Sequence, residues 1–225
     1  MIAEAGNTHF GCLKTAKEMI KIAKDCGADL VKFQAIEPDF VASYGSMPEA
    51  FYKHVAFSMG QYEELIEVGN MMGMPVFFSI FGKSLWPLAS KTMFHKISAK
   101  QAPTWEFTDF MDKESTFVSC NPIYGLPPLL EKATILYATE YIPHFVDFDL
   151  IHSLCEYFDT LIGYSDHTVG IKNCVLAVKE HGCEVVEKHF TLDKNYNWEG
   201  APFRDCIHSV LPKELEQLAK AMKGD

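Results

Sequence analysis

Eight short runs of β-forming residues, most of them continuously apolar, recur along the chain at 2–6, 30–35, 76–81, 94–99, 116–121, 134–139, 160–166 and 184–190. Unbroken rather than alternating hydrophobicity marks strands covered on both faces, as in a parallel sheet flanked by helices. Helical patterns lie between the runs. Residues 14–26 place Ala16, Met19, Ile20, Ala23 and Cys26 on one face and stop at Gly27. Residues 61–72 carry Tyr62, Leu65, Ile66 and Gly69 at the same spacing, and 169–181 and 212–222 supply later helices, the last opening on Pro212. Crossovers over 82–93, 102–113, 126–132 and 148–157 are shorter. Eight such units in 225 residues predict an α/β fold, a single-domain (β/α)8 TIM barrel spanning 1–225. An open doubly wound sheet would want a glycine-rich phosphate loop after the first strand, and Gly6-Asn7-Thr8-His9-Phe10-Gly11 fits no such pattern.

A barrel gathers its strand ends into one rim, so the residues there are the first candidates for chemistry. Strand by strand they are Glu4; Lys32 and Gln34; Ser79; Lys96, Ser98 and Lys100; Ser119 and Asn121; Thr139 and Glu140; Ser165, Asp166 and His167; and Glu187, Lys188 and His189. The long connections 36–59 and 191–211 would sit on the same rim, where long loops usually serve function. His167 and His189 close consecutive strands and can meet over one metal ion. Two histidines plus waters suit Mn²⁺ first, with Mg²⁺ or Co²⁺ as alternatives. A catalytic zinc normally takes three protein ligands, and no HExxH pattern is present. Lys32 and Lys96 lie inside apolar strands, where an ammonium is costly unless it meets an anion. They predict a phosphate or carboxylate cradle, the alternative being internal pairs with Glu187 or Glu4. His9 either lines the site or packs near Phe10, and His54, His144, His152, His181 and His208 attract no role. Trp86 and Trp105 read as packing residues, Trp198 as packing or a sugar-stacking face, and Cys120 as a buried filler.

A formal charge of −10 argues against nucleic acid and anionic membranes as partners. No apolar run approaches the length of a membrane span, and the N-terminal residues lack the pattern of a signal peptide. Seven cysteines without Cys-x-x-Cys spacing suit reduced thiols, and a cytoplasmic location is expected.

Several segments carry a resemblance. Ile2-Ala3-Glu4-Ala5-Gly6 with His9 and Gly11, Gly27-Ala28-Asp29-Leu30-Val31-Lys32-Phe33-Gln34, Ile162-Gly163-Tyr164-Ser165-Asp166-His167-Thr168 and Glu187-Lys188-His189-Phe190-Thr191-Leu192-Asp193 resemble motifs of the sialic acid synthase family, which includes legionaminic, pseudaminic and spore-coat relatives. The resemblance runs from residue 2 to about 223. It implies a barrel that condenses phosphoenolpyruvate with an N-acylated hexosamine-type aldehyde to a nine-carbon 2-keto acid and phosphate. On matching positions it implies that His167 and His189 hold the metal. Lys32 and Lys96 would bind phosphoenolpyruvate with help from Ser119 and Ser165. Glu4 would contact sugar hydroxyls or the attacking water, and Glu187 and Asp205 would sit around metal and sugar. Asp205 matches if 195–204 carries a small insertion. The family's C-terminal antifreeze-like domain has no counterpart in these residues, so a homodimer or a separate lid-providing partner is expected. Departures fall at strands three to six: Ile80 for a hydroxyl, Ala99 for a serine, Gln101 for an acid, Glu140 for an asparagine, and Cys120-Asn121-Pro122 for Thr-Gly-Met. Two other readings remain open. One is a metal-dependent barrel aldolase or lyase with a different substrate; the other is a non-catalytic carbohydrate-binding relative that needs a partner.

Overall fold

The computed structural model describes residues 1–43, 45–104, 115–127, 132–139, 146–160 and 162–224. All eight expected strands form: β1 Ile2–Gly6, β2 Leu30–Ile36, β3 Val76–Phe81, β4 His95–Ile97, β5 Thr116–Cys120, β6 Thr134–Ala138, β7 Ile162–Asp166 and β8 Val186–His189. They pair in parallel and in chain order, and β1 closes on β8, giving the expected (β/α)8 barrel. The helices α1 Leu13–Asp25, α2 Pro38–Ala42, α3 Glu49–Val55, α4 Met59–Met72, α5 Asp149–Phe158, α6 Lys172–Lys179, α7 Arg204–His208 and α8 Pro212–Lys223 occupy the connections.

Local chemistry explains the helix ends. Ser58 caps α4 through the Gln61 amide while the Gln61 side chain accepts from the Ser58 N–H, a reciprocal capping box. Gly73, with φ of +64°, ends the same helix in a left-handed turn. The crossover at 82–93 is a 3-10 helix, Lys83–Lys91, because Pro87 inside it offers no amide for an α-helical bond. Most of 102–113 and 126–132, with Trp105, Glu140 and His144, lie outside the described residues.

Alternation along the strands sorts the barrel interior by height. At the bottom, Ile2, Phe77, Phe117 and Leu136 form a closed apolar plug. Gly163 belongs to this layer: a Cβ there would stand 2.4 Å from the Leu136 side chain and 2.7 Å from the Val185 carbonyl. Above the plug the inward positions turn polar and face the C-terminal mouth. The outward positions, among them Ala3, Val31, Phe33, Phe78, Ile80, Val118 and Val186, join the helices in the main core.

The same alternation turns two expected rim residues away from the mouth. Asp166 and Lys188 point outward and pair at 2.8 Å with both side chains fully buried. The Tyr164 hydroxyl at 2.9 Å, the Thr168 amide at 2.9 Å and the Cys174 thiol at 3.2 Å also donate to Asp166. Burial alone would raise this carboxyl, but Lys188 outweighs it and holds Asp166 below the usual range. The pair is therefore an anchor for the turn that carries His167. A second, smaller cluster of Ile36, Val41, Met47, Phe51, Tyr52, Val55, Phe203 and Cys206 ties the loops 36–59 and 191–211 together over the mouth.

Candidate active site

The polar interior opens into a cavity of about 690 Å³ at the C-terminal ends of the strands. Its floor is a four-membered charge cluster. Lys32 Nζ lies 3.2 Å from Glu4 Oε2 and 3.2 Å from Glu187 Oε2. Lys96 Nζ lies 3.0 Å from Glu187 Oε2. Lys32 also donates to Ser79 Oγ at 3.0 Å, and Ser165 Oγ donates to Glu187 Oε1 at 2.8 Å. The internal pairs weighed against a free cradle are thus present, and both lysines line the cavity as well.

Burial decides how these charges are held. It pushes the Glu4 carboxyl up to about 8, against the pull of Lys32. It lowers Lys96 to about 8 in spite of Glu187. It would also raise Glu187, but Lys32 and Lys96 outweigh it and keep that carboxylate near 2. Lys32, which burial would lower, is raised by Glu187 and Glu4. Near neutral pH two ammonium groups therefore share one carboxylate, and the floor carries a net positive charge suited to an anion.

Because folding raises Glu4, its carboxyl contributes stability below its unfolded value, and that stability is lost as pH rises toward about 8. Glu4→Gln removes the dependence. The variant's melting temperature is expected to gain on the native protein's between pH 5 and 8, by up to about 1.4 kcal/mol per pH unit at about 2–4 °C per kcal/mol. A constant difference in thermal melts across that window would show Glu4 already ionised in the fold.

On one side of the floor stand imidazoles. The His167 and His189 ring centroids are 5.5 Å apart, so the pair expected from the strand ends does converge. His208, a position without any local signal in the sequence, joins them at 5.3 Å from His167 and 4.7 Å from His189. One potential ligand nitrogen from each of the three lies within 4.8 Å of the others. Burial pushes His167 down to about 4 and His189 and His208 well below their usual value, so all three rings are neutral near pH 7.

The donor set fits a divalent cation. His167 Nδ1 lies 2.9 Å from the Thr139 carbonyl, which only accepts, so this nitrogen carries the proton and Nε2 keeps its lone pair. The buried Nδ1 of His189 has no hydrogen-bond partner among the described residues, the condition of a nitrogen shaped for a ligand.

Gly6, with φ of +53°, lets these groups approach: a Cβ there would lie 3.3 Å from Glu4 Oε1 and 3.6 Å from His189 Cε1. Gly6→Val should cost about 1–3 kcal/mol in backbone strain and crowd Glu4 and His189, as thermal melts would register. Unchanged melting would mean that neither side chain confines Gly6.

The remaining expected residues divide clearly. Gln34, Ser79, Ser98, Ser119, Ser165, Asn121, Thr139, Lys100 and Asp205 all line the cavity. Glu187 pairs with both lysines, and Glu187 and Asp205 line the same cavity as His167 and His189. Asn7, Tyr52, Tyr124 and Arg204 line the cavity without having been anticipated. His9 packs face to face on Phe57 at 4.3 Å and accepts from the Gly11 amide, which makes it structural. Trp198 packs against Phe51 and His54. Cys120 is buried, and burial raises its thiol to about 11, as befits a filler.

A NeuB family model matches residues 129–224. Over 99% of its length the chain is 30% identical to an uncharacterised protein of Methanocaldococcus jannaschii and covers 69% of that relative. The chain belongs to the NeuB family. It is also 29% identical, over 99% of its length and 71% of the relative's, to N,N'-diacetyllegionaminic acid synthase of Legionella pneumophila. The barrel superposes on N-acetylneuraminic acid synthetase of Leptospira borgpetersenii, solved with citrate, at a TM-score of 0.83 and 24% identity, covering 99% of this chain and 82% of that one. Within this NeuB-family barrel some departures matter less than their letters imply. Ile80 faces the outer core, not the cavity, so it displaces no ligand-binding group. Gln101 is spent on structure: it donates to the Ile80 carbonyl at 3.1 Å and accepts from Ser98 at 2.9 Å.

Proposed function

We propose that the chain is a condensing enzyme of the sialic, legionaminic and pseudaminic acid synthase type. It would join phosphoenolpyruvate to an N-acylated hexosamine-type aldehyde and release a nine-carbon 2-keto acid and phosphate. The observation that carries this reading is one cavity with an electropositive floor on one side and a neutral imidazole cluster on the other. Phosphoenolpyruvate is a small, multiply charged anion, and Lys32 and Lys96 are the buried cations that would hold it, with Ser119 and Ser165 beside them. His167 and His189 would hold a divalent cation, whose chemistry is to polarise the aldehyde carbonyl.

The protein groups then do the positioning and the proton transfer. C3 of phosphoenolpyruvate bonds to the aldehyde carbon, water adds at C2, and phosphate leaves with its bridging oxygen as the C2–O bond breaks. Glu4, poised near pH 8, is suited to exchange a proton with that water or with a sugar hydroxyl. Glu187 keeps both ammonium groups aimed at the anion. Asp205, Arg204 and Tyr52 at the lip would contact the polar end of the sugar. The 690 Å³ of space is ample for both substrates together.

Phosphate release from phosphoenolpyruvate, followed with Mn²⁺ across a panel of N-acyl hexosamines, tests the reading. Release with one sugar, and none without metal, supports it. Inertness across the panel with metal bound would instead favour another barrel aldolase or a carbohydrate-binding role.

A further inference from the structure

We propose that His208 is a third protein ligand of the cation held by His167 and His189, giving this chain a three-imidazole site that prefers Zn²⁺ or Co²⁺ to Mn²⁺ or Mg²⁺. The inference rests on the metal reading above and goes beyond it in ligand number and metal class. His208 ends α7, a short helix in the connection after β8, and its position beside β8 is fixed by the backbone. The Val210 amide donates to the His189 carbonyl at 2.9 Å, and the Thr191 amide donates to the Val210 carbonyl at 3.0 Å. Those two bonds clip the segment against the strand that carries His189. The His208 side chain is fully buried, 0% exposed, with its ring centroid 4.7 Å from that of His189 and nearly perpendicular to it, at 89°.

Convergence of three imidazoles, His189 and His208 buried and His167 partly so, supplies the donor set of a catalytic zinc or cobalt centre. His167 and His189 line the cavity, and His208 lies outside its lining. Metal–nitrogen bonds of about 2.0–2.1 Å imply ligand nitrogens about 3.4 Å apart. The three candidate nitrogens lie within 4.8 Å of one another. The Thr139 carbonyl holds the His167 proton on Nδ1 and leaves Nε2 its lone pair. With His208 the protein supplies the three ligands that a catalytic zinc normally takes.

The test uses the full chain. Affinities for Zn²⁺ and Mn²⁺ are measured by competition with a chelating dye in the native protein, His208→Ala and His189→Ala, with circular dichroism to establish folding. Loss of at least about tenfold in Zn²⁺ affinity in His208→Ala, with Mn²⁺ affected less, is expected, scaled to the 10–100-fold effects of disturbing a ligand's support. Unchanged Zn²⁺ affinity in folded His208→Ala, beside a loss in His189→Ala, would overturn the third ligand and leave the two-histidine site standing. Unchanged affinity in both variants would overturn the metal reading itself. If His208→Ala does not fold, proton NMR of the Co²⁺-loaded native protein decides: three hyperfine-shifted, exchangeable imidazole N–H signals support the proposal, and two overturn it.

Discussion

His189→Ala is expected to lose bound metal and turnover together, with phosphate release falling by at least about a thousandfold, the order of several kcal/mol of carbonyl polarisation. The ring stands at the meeting point of the site: beside His167 and His208, and 3.6 Å from the position a Gly6 side chain would take. Equilibrium dialysis and a phosphate assay on the same preparation would register both losses. His9→Ala is the matched control, since His9 stacks on Phe57 outside the cavity lining and should affect thermal stability alone. Retained turnover in His189→Ala would contradict the site as described.

Glu187→Gln should be the most destabilising change on the cavity floor. Its carboxylate is the shared anion of two buried ammonium groups, 3.2 Å from Lys32 and 3.0 Å from Lys96. Removing one partner of a buried ion pair costs about 3–5 kcal/mol, because the remaining charge stays desolvated without a counterion. A fall of about 6–20 °C in melting temperature follows at about 2–4 °C per kcal/mol. The two lysines would then lack their internal anion, so added phosphate or phosphoenolpyruvate should restore more stability to Glu187→Gln than to the native protein. Equal stabilisation of both proteins would mean that the anion does not bind between Lys32 and Lys96.

What the sequence disclosed followed from how strongly each residue's local setting constrains it. Lys32 and Lys96 stood out because an ammonium within an apolar strand must meet a charge, and the register brings both to one layer with Glu187 and Glu4. His167 and His189 stood out by position, each where a strand stops. His208 did not: its place depends on Val210 folding back onto β8, a long-range backbone bridge with no local signature. Tyr52 and Arg204 reach the cavity from loops whose path is set by the cluster around Phe51 and Phe203. Asp166 and Ile80 were misread for the opposite reason. Strand alternation turns both outward, and residue type alone does not say which parity faces the mouth.

The proposed condensation is tested most directly by phosphoenolpyruvate carrying ¹⁸O in its bridging C2–O–P oxygen, incubated with metal and an accepted N-acyl hexosamine. Recovery of the label in phosphate, alongside a nine-carbon 2-keto acid in equal amount, is the predicted result. Label recovered in the organic product, with pyruvate in place of the keto acid, would show hydrolysis at phosphorus and contradict the account.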